Sequence, residues 1–567
     1  MYYIALATDY DGTLATDGRV RKKTIQSLKN LQASGRRLVL VTGRTVPDLV
    51  AAFPEYDLFE RIVAENGAVL FDPARREEKL LCRPVDRRFV AALRAQHVTP
   101  LHTGRAIVAT LEPHQLEVLT TIRNLGLELE ILFNKGAVMV LPTGVNKASG
   151  LRAGLFELGL SHHNVVAVGD AENDHALLAE SGCSVAVANA LASLKMEADL
   201  VTCQPEGKGV EELIAELIGT DLVGVRHRKR QNRVLLGRNA EGRPIYFSPP
   251  DDCILIAGPS GSGKTTIATA LLERVVENGY QFCVIDPEGD FENFPAAVLL
   301  GDPHHVPRPD EVIQLLEHFE NPVVNLLGLP LADRPNYFAS LFGRIQDLRL
   351  RKGRPHWLVL DEAHHLLPAG WKPAPLVVPN VLVGTMLVTV HSDKVTSEVL
   401  RKANLILAAG DSPSETIRRF CRTVGEPAPL TPDVSTKKLD IVAWQRGTGR
   451  NPFRLRIKPG TIEHKRHWRK YAHGNLEEDS FYFTGPQKLL RLKAQNLMSF
   501  TQLGEGVDDL TWLYHLKRKD YSRWIRNAIQ DDDFADDIQK IETSESSAKQ
   551  SRTLIFDAIA KRYTAAA

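Results

Sequence analysis

The chain has 567 residues, and at about 150 residues per domain this length predicts three or four domains rather than one. With 43% hydrophobic and 25% charged residues, the composition is that of an ordinary globular protein and excludes a largely disordered chain. Seventy basic residues oppose 69 acidic ones, so no overall charge attracts the protein to nucleic acid or to an anionic membrane.

The six cysteines include no CxxC pair and are far apart, which is typical of reduced thiols in the cytoplasm. The beginning, MYYIALATDYDGT, lacks the basic start and the small-residue cleavage site of a signal peptide, so we expect no removable leader. The most apolar stretch, residues 375–390, is too short to cross a bilayer as a helix. We therefore predict a cytoplasmic protein without a membrane partner, in which this stretch forms buried strands.

Residues 1–218 alternate short apolar runs with amphipathic helical patterns. The runs lie at 4–7, 38–41, 62–64, 138–141, 165–168 and 185–187. This alternation predicts a mostly parallel, doubly wound α/β sheet. In such a sheet the catalytic residues lie at the carboxyl ends of the strands.

The first apolar run ends in the motif Asp9-Tyr10-Asp11-Gly12-Thr13. One carboxylate of such a pair can attack phosphorus to form an aspartyl-phosphate, and the second can act as general acid and base. Gly12 lets the backbone turn sharply after the strand. The motif predicts Asp9 as the nucleophile and Asp11 as the acid/base catalyst of a phosphoryl transfer.

Three further motifs follow in order, and with them the sequence resembles the haloacid dehalogenase superfamily. They are Thr42-Gly43-Arg44, Gly144-Val145-Asn146-Lys147, and Gly169-Asp170 followed by Asn173-Asp174. The resemblance implies an Mg²⁺-dependent phosphatase.

The resemblance also implies a role for each matched residue. The phosphoryl group would be bound by Thr42, Gly43, Lys147 and Asn173, with the lysine neutralising the aspartates. Mg²⁺ would be held by Asp9, Asp170, Asp174 and the backbone carbonyl of Asp11.

The long interval between Thr42 and Lys147 leaves room for an inserted α/β cap, which we expect at about residues 80–140. In the same interval but before the cap, Glu65-Asn66-Gly67-Ala68 resembles the marker that precedes the cap of Cof-type, sugar-phosphatase-like members. In those enzymes the cap encloses the substrate and excludes water. The resemblance implies a small phosphorylated metabolite, such as a sugar phosphate, as the substrate.

A second unit is predicted at 234–460, after a linker at 219–233 that contains the charge run 226–233. It begins with a predicted hairpin at 234–236 and 243–247, and the apolar run 254–257 then leads into a phosphate-binding loop. That loop fits G-x-x-x-x-G-K-[ST], whose backbone N–H groups and lysine bind nucleotide phosphates. The predicted ATP-binding residues are Gly258, Gly261, Ser262, Gly263, Lys264, Thr265 and Thr266, with Thr265 also a ligand of Mg²⁺.

The apolar run 357–360 ends in Asp361 and Glu362. The first acid can hold Mg²⁺ through water, and the second can orient or deprotonate the attacking water. Together with the segment 284–290, VIDPEGD, this region resembles the HerA/FtsK-like ATPases. The resemblance implies that this unit hydrolyses ATP. The alternative is that it binds the nucleotide without hydrolysing it.

The same resemblance implies assembly into homo-oligomers through the P-loop unit, in which an arginine of one subunit completes a neighbour's site. Arg401, Arg418 and Arg419 are the candidates. A polar sensor residue is expected at the end of the strand 386–390, where the sequence has Thr389, His391 and Ser392. His391 is therefore either a sensor of the γ-phosphate or a structural histidine.

Residues 461–567 are predicted to form a mainly helical module. Basic and aromatic residues alternate at 464–471 and 515–526, a pattern that can bind nucleic acid. The interpretation we favour is that Trp468, Trp512 and Trp524 lie in a helical core, because the acidic stretch 531–537 opposes a broad positive surface.

Three functions remain open from the sequence. The first is a phosphatase of a small phosphorylated metabolite with an ATP-sensing or ATP-hydrolysing partner domain, and the near-zero net charge favours it. The second is a nucleic-acid-directed ATPase or translocase with an accessory phosphatase. The third is a regulatory protein whose two sites bind phosphorylated ligands with little turnover.

Overall fold

The structure is a computed structural model. It describes residues 1–134, 136–225, 233–292, 294–370, 382–432, 439–460, 480–487, 490–529, 531–545, 547–560 and 562. Most of the predicted charge run at 226–233 and the whole basic, aromatic cluster at 464–471 lie outside these ranges. No helix within the described ranges has both the length and the apolar character needed to cross a membrane.

The first part of the chain contains two sheets and the helices that pack on them. Its strands are β1 Ala5–Thr8, β2 Arg37–Val41, β3 Arg61–Ala64, β4 Val69–Asp72, β5 Glu77–Leu80, β6 His102–Thr103, β7 Val108–Leu111, β8 Leu129–Asn134, β9 Ala137–Pro142, β10 Val165–Gly169, β11 Cys183–Ala186 and β12 Leu200–Val201. Its helices are α1 Lys22–Ala33, α2 Val46–Ala52, α3 Arg87–Ala95, α4 Gln115–Leu125, α5 Lys147–Leu158, α6 Asp174–Glu180, α7 Ala192–Glu197 and α8 Glu206–Thr220.

The larger of these sheets has eight strands in the order β12-β11-β10-β1-β2-β3-β4-β5. Pairing is parallel from β12 to β3 and antiparallel at the β3-β4-β5 edge. The crossovers between parallel strands are helical, so the apolar runs are buried on both faces, as a doubly wound sheet requires. The smaller sheet, β6-β7-β9-β8, is antiparallel, and α3 and α4 bury its apolar face.

One predicted strand lies in an unexpected sheet. The apolar run 138–141 is not part of the parallel sheet, because it forms β9 at the centre of the small antiparallel sheet. Its residues alternate between the two faces of that sheet: Val138 and Val140 pack with α3 and α4, whereas Met139 and Leu141 face the larger core. A short apolar run has the same composition in either setting, so periodicity could not distinguish them.

The second part of the chain is built on an 11-stranded sheet, ordered β14-β13-β23-β22-β21-β15-β20-β19-β16-β18-β17. Its strands are β13 Val234–Asn239, β14 Pro244–Phe247, β15 Cys253–Ala257, β16 Phe282–Asp286, β17 Val298–Leu300, β18 Pro322–Asn325, β19 Trp357–Leu360, β20 Thr385–Thr389, β21 Leu405–Ala408, β22 Asp440–Gln445 and β23 Phe453–Arg456. Its helices are α9 Lys264–Glu277, α10 Pro309–Glu317, α11 Arg334–Lys352, α12 Ala363–Leu366, α13 Ser397–Leu400 and α14 Pro413–Val424.

Both faces of this second sheet are buried. Leu255 of β15 belongs to one hydrophobic cluster, and the adjacent Ile254 and Ile256 belong to the cluster on the other face. The predicted hairpin is present as the antiparallel pair β13-β14. The predicted buried strand within 375–390 is present as β20, while residues 371–381 lie outside the described ranges.

The last part of the chain is mainly helical, as predicted. It contains the hairpin β24 Phe481–Phe483 and β25 Leu492–Ala494, the helices α15 Leu497–Gly506, α16 Asp509–Lys517, α17 Asp520–Trp524, α18 Asp532–Ser544 and α19 Ala548–Ile559, and a π-helix at Ile525–Ile529. Trp512 is fully buried, and its indole N–H donates to Ser551 Oγ at 3.0 Å. Trp524 packs in the same cluster, so the core interpretation is confirmed for these two tryptophans, while Trp468 lies outside the described residues.

The first two parts of the chain contact each other through buried polar groups. Oδ1 of Asn164, which precedes β10, accepts from Nε2 of His356, which precedes β19, at 3.0 Å. The ring of His163 stacks on that of Tyr280, with centroids 3.7 Å apart. These contacts join the amino-terminal ends of the two parallel sheets, so the carboxyl ends of their strands are directed away from the interface.

Candidate active sites

Two neighbouring strands of the first sheet bring the predicted catalytic acids together. Asp9 follows β1 and Asp170 follows β10, and β1 pairs in parallel with β10. Asp174 and Lys147 are the first residues of α6 and α5. One carboxylate oxygen from each of Asp9, Asp170 and Asp174 lies within 4.8 Å of the others, and all three residues are buried.

Lys147 is the cation of this cluster. Its Nζ donates to Asp9 Oδ1 at 2.5 Å and to Asp174 Oδ1 at 2.7 Å, and the residue is 1% exposed. The lysine reaches this position because the Asn146 side chain caps α5 by accepting from the Ser149 backbone N–H, which fixes the first turn of the helix. Two ion pairs are thus made by one buried ammonium group.

Burial and charge act in opposite directions on these groups. Burial raises the pKa of Asp9, the Lys147 ammonium lowers it, and the Asp174 carboxylate raises it. The net effect is a pKa above the ordinary value of an aspartate. Burial lowers the pKa of Lys147, but the Asp174 and Asp9 carboxylates outweigh that effect and raise it above its ordinary value. The cluster therefore carries more buried acid than one lysine can neutralise.

The donor set fits a hard divalent cation. Mg²⁺ prefers carboxylate oxygens, and a cation would remove the excess negative charge of the three buried aspartates. Asp170 is oriented by Thr13, whose Oγ1 donates to Asp170 Oδ1 at 2.9 Å. Asp174 is oriented by the backbone N–H groups of Asp170 and Ala171, which donate to its Oδ2 at 2.9 and 3.0 Å.

Asp11 lies apart from the buried acids and pairs with an arginine that the sequence reasoning did not assign. Arg44 Nε donates to Asp11 Oδ2 at 2.7 Å, and Arg44 Nη2 donates to Asp11 Oδ1 at 2.6 Å. The Asp11 side chain is 45% exposed. A bidentate pair at the rim of the site orients the carboxylate that was predicted to transfer the proton.

The remaining predicted phosphate-binding residues surround the cluster. Thr42 is buried at the end of β2, and its Oγ1 accepts from the Arg44 backbone N–H at 3.1 Å. Asn173 donates from Nδ2 to Asn66 Oδ1 at 3.0 Å. A Cβ on Gly43 would approach the same Asn66 side chain to 3.2 Å, so a side chain at position 43 would crowd the asparagine.

The marker at 65–68 connects this site to the small sheet. The Glu65 carboxylate accepts from the backbone N–H groups of Arg105, Ala106 and Ile107 at 2.8, 2.9 and 3.2 Å. Asn66 Nδ2 donates to Met139 Sδ at 2.9 Å. The sequence identified the marker by resemblance, but these contacts with residues about 40 or 70 positions away have no local signal.

The predicted nucleotide-binding residues follow β15 and begin α9. Gly261 and Gly263 have φ angles of 75° and 87°, which glycine adopts without strain. A Cβ on Gly258 would lie 2.4 Å from the Ala409 carbonyl oxygen, so this position has room for glycine alone. Lys264 Nζ donates to the Pro259 carbonyl of the loop at 3.0 Å.

The acids of the second sheet lie next to this loop. Asp361 follows β19 and is 1% exposed, and Thr265 Oγ1 is 3.4 Å from Asp290 Oδ2. Burial raises the pKa of Asp361 well above its ordinary value, and nearby Asp290 and Glu362 raise it further. Asp361 Oδ2 and Ser262 Oγ are buried without hydrogen-bond partners among the described residues, which fits atoms that bind a nucleotide and its cation.

The segment 286–290 is held by its first residue. Asp286 is fully buried and accepts from the backbone N–H groups of Gly289 and Phe291, both at 2.8 Å. This turn orients Asp290 towards Thr265. The role of Asp286 is thus visible in the loop geometry, whereas the sequence singled out only the motif as a whole.

A histidine that the sequence did not assign lies beside the predicted catalytic glutamate. His364 Nδ1 is 3.4 Å from Glu362 Oε2 and 3.1 Å from Thr389 Oγ1. His391, the predicted sensor, has its ring edge-to-face with that of His364, at 5.5 Å between centroids. The structure therefore links Glu362 to the end of β20 through His364.

The three arginines predicted to act on a neighbouring subunit have partners within this chain. Arg401 Nε donates to the Val424 carbonyl at 3.3 Å, Arg418 is 3.5 Å from Glu415, and Arg419 is 3.9 Å from Asp393. The last two are weak exposed pairs that a neighbouring subunit could replace. Their role across subunits stays a prediction.

Comparisons with known proteins assign the first two parts of the chain to families. A family model described as haloacid dehalogenase-like hydrolase matches residues 6–96 and 123–214, and one described as an AAA domain matches residues 250–382. The AAA match does not name the HerA/FtsK-like ATPases, so that finer resemblance stays a prediction.

The chain is also similar to curated and solved proteins over its first part. It is 30% identical over 233 residues to the phosphoglycolate phosphatase of Methanobrevibacter smithii, a match that covers 38% of this chain and 98% of the relative. The phosphoglycolate phosphatase of Methanothermobacter thermautotrophicus is 27% identical over 223 residues, covering 38% of this chain and 99% of the relative. A solved haloacid dehalogenase-like hydrolase from Bacteroides thetaiotaomicron has 20% identity and a TM-score of 0.34, with 38% and 99% covered.

The chain therefore belongs to the haloacid dehalogenase-like hydrolases, as a phosphatase of that family joined to an AAA domain.

Proposed function

We propose that the first part of the chain hydrolyses a small phosphate monoester through an aspartyl-phosphate formed on Asp9. The observation that carries this proposal is the buried cluster of Asp9, Asp170 and Asp174 around Lys147 at the carboxyl ends of β1 and β10. A carboxylate held beside a buried cation can approach a phosphoryl group without the repulsion that an isolated anion would meet.

In the first step an Asp9 carboxylate oxygen attacks phosphorus, and the bond from phosphorus to the leaving oxygen breaks. Asp11 gives its proton to that oxygen, so the alcohol leaves in neutral form. In the second step Asp11 takes a proton from water, the water oxygen attacks the aspartyl-phosphate, and inorganic phosphate and the Asp9 carboxylate are released. Arg44 acts as a positioning residue, since its bidentate contact sets the direction of the Asp11 carboxyl.

We propose Mg²⁺ as the cofactor of this site, held by Asp9, Asp170 and Asp174. When bound, the cation neutralises the charge of the attacking carboxylate and of the phosphoryl oxygens. Lys147 would contact the same phosphoryl group, and Thr42 would donate its hydroxyl to it. The raised pKa of Asp9 supports a cation as part of the working site, because a deprotonated Asp9 needs more positive charge than Lys147 provides.

The substrate we propose is a small phosphorylated metabolite that the small sheet and its helices cover. Two curated relatives are named phosphoglycolate phosphatases, and the chain spans 98% and 99% of their lengths, which supports phosphoglycolate or a compound of similar size. The contacts of Glu65 with residues 105–107 support a fixed position of the cap over the site.

We propose that the AAA domain binds Mg²⁺-ATP through residues 258–266 and hydrolyses it with Glu362. Asp361 and Thr265 would hold the cation, and Glu362 would prepare the attacking water. The support is the pair of buried atoms without partners among the described residues, Asp361 Oδ2 and Ser262 Oγ, together with a loop whose backbone favours glycine at positions 258, 261 and 263.

The test is a phosphate-release screen over phosphoglycolate, sugar phosphates and nucleotides, with Mg²⁺ or with a chelator. We expect turnover of at least one small monoester that requires Mg²⁺ and is abolished in Asp9→Asn, since the amide is nearly isosteric but cannot attack phosphorus. The matched control is Asp17→Asn, an exposed aspartate of the same loop at a φ of 47°, which asparagine tolerates. Turnover by a folded Asp9→Asn protein would contradict the proposal.

A further inference from the structure

A cavity of about 400 Å³ lies where the hydrolase part meets the AAA domain. The second half of α5 and residues 160–162 form one wall, and the residues that precede β16 and β19 form the other. Cavities of this size at domain boundaries are common sites for small ligands. It is separate from both phosphate sites, since none of their predicted residues lines it.

The most unusual group in the wall is the Arg354 guanidinium. The residue is 3% exposed, and among the described residues it has no carboxylate partner. Its one hydrogen bond to a described residue runs from Nη2 to the Gly159 carbonyl at 2.7 Å, and its Nε is buried without a described partner. Burial lowers the pKa of Arg354 to about 10, with no described charge that opposes the shift. A buried guanidinium is normally paired with an anion.

The carbonyl groups at the end of α5 compensate only part of this charge. Lys352 Nζ donates to the Leu158 carbonyl at 3.1 Å, and Arg37 Nη1 donates to the same carbonyl at 3.3 Å. A helix carboxyl end is equivalent to about half an elementary negative charge. This partial negative charge faces three cations, Arg354, Lys352 and Arg37. Among these three, Arg37 alone has a carboxylate within 4 Å in the described part of the chain, that of Glu60 at 3.5 Å. The wall keeps an excess of positive charge.

The lining of the cavity also contains exposed aromatic surface. Phe156 on α5 and Phe319 after α10 are 75% and 43% exposed, and their rings stack with centroids 6.3 Å apart. The Arg354 guanidinium lies over the Phe319 ring, 3.7 Å from its centroid. An unpaired cation and a pair of apolar rings therefore border one cavity. That combination suits a ligand with an anionic end and an apolar or ring-shaped body.

We propose that this cavity binds a small organic anion, whose phosphate or carboxylate oxygens pair with Arg354 and whose apolar part packs on Phe156 and Phe319. The ligand would contact α5, which begins at Lys147, and the segment before β19, the strand that Asp361 follows. It would thus bind to one element of each catalytic part without touching either site.

The test measures binding of phenylphosphonate, which carries a ring and an anionic group and has no phosphate ester bond to hydrolyse. Calorimetric titration is done on the full chain in Mg²⁺-ADP, so that the nucleotide loop is occupied. Apart from any binding at the hydrolase site, we expect one site that Arg354→Gln weakens by about tenfold to a hundredfold, the effect of losing a hydrogen bond to a charged group. The matched control is Arg351→Gln, an arginine two positions before the turn that is 60% exposed and lies 3.8 Å from Glu317.

Binding of equal affinity and stoichiometry in wild type and Arg354→Gln would overturn the proposal, as would an equal loss in Arg351→Gln. If Arg354→Gln does not fold, Phe156→Glu replaces it, because position 156 is exposed and tolerates a polar side chain. The new carboxylate competes with the ligand for the positive wall, so Phe156→Glu should weaken binding more than Phe156→Gln. Equal binding by these two variants would overturn the proposal as well.

Discussion

The two phosphate sites of this chain differ in the hydrogen-bond partners of their lysines. In the hydrolase part Lys147 already pairs with Asp9 and Asp174, at 2.5 and 2.7 Å. In the AAA domain Lys264 contacts a carbonyl of its own loop, and the buried Asp361 keeps one oxygen without a partner among the described residues. The first site is held together by its own ion pairs, whereas the second has polar atoms whose partners would come with the nucleotide.

Because of this difference, we expect mutations at the two lysines to separate effects on stability from effects on ligand binding. A buried carboxylate that pairs with a buried ammonium contributes to the folded state, and loss of either partner leaves an uncompensated charge. The hydrogen bond from Lys264 Nζ to the Pro259 carbonyl can be exchanged for one to a phosphate at low cost. Changes at Lys147 should therefore affect folding and catalysis together, and changes at Lys264 should affect ligand binding first.

The largest effect should come from the proton-transfer residue at the rim of the first site. We expect Asp11→Asn to lower kcat by about 10²–10⁴-fold, because the amide cannot give or take the proton. The folded state should change little, since the Asp11 side chain is 45% exposed and its pair with Arg44 is partly hydrated. The measurement is single-turnover phosphate release together with thermal unfolding. Wild-type turnover by Asp11→Asn would remove it from the mechanism.

Replacement of each lysine by methionine tests whether the two sites differ in stability. We expect Lys147→Met to lower the free energy of local unfolding of β1 and β10 by about 3–5 kcal/mol. This is the loss typical of removing one partner from a buried ion pair. Lys264→Met should change the opening free energy around β15 by no more than about 1.5 kcal/mol. Hydrogen exchange of the strand amides in metal-free buffer measures both. Equal losses at the two sites would show that the sites are built alike.

Much of both sites could be predicted from sequence because their residues follow strands directly. Asp9, Asp170 and Asp361 each come after a short apolar run, and the carboxyl ends of parallel strands meet at one edge of a sheet. The phosphate loop could also be predicted from local sequence. Its backbone angles require glycine at particular positions, and the sequence motif contains those glycines. Motif order and strand position were therefore enough to place these residues near one another.

The remaining features depend on contacts between distant segments. The sequence gives no local sign that Arg44 will pair with Asp11, or that His364 will lie between Glu362 and Thr389. The same holds for Asn164 and His356, which are 192 positions apart and join the two sheets. Such contacts arise from the packing of whole elements, and neither periodicity nor a motif encodes them.

The smallest effect tests whether the two sites work independently. Lys264→Ala should weaken ATP binding because it removes a phosphate-facing cation, and Glu362→Gln should keep binding but stop hydrolysis because it removes the carboxylate that prepares water. At the interface, His163 and Asn164 of the hydrolase part hydrogen-bond to Asn278, Gly353 and His356, and neither Lys264 nor Glu362 takes part in these bonds. We therefore expect monoester hydrolysis without ATP to stay within about twofold of wild type, a coupling below about 0.4 kcal/mol.

Monoester hydrolysis by wild type and both variants, with and without ATP, measures this independence. A folded variant that loses its basal phosphatase activity would show that the nucleotide loop is an obligatory part of the hydrolase site. If instead only a response to ATP disappears, the AAA domain acts as a regulator through the contact that joins β10 to β19. In that case Asn164→Ala, which removes the hydrogen bond to His356 Nε2, should abolish the same response while both sites keep their own ligands.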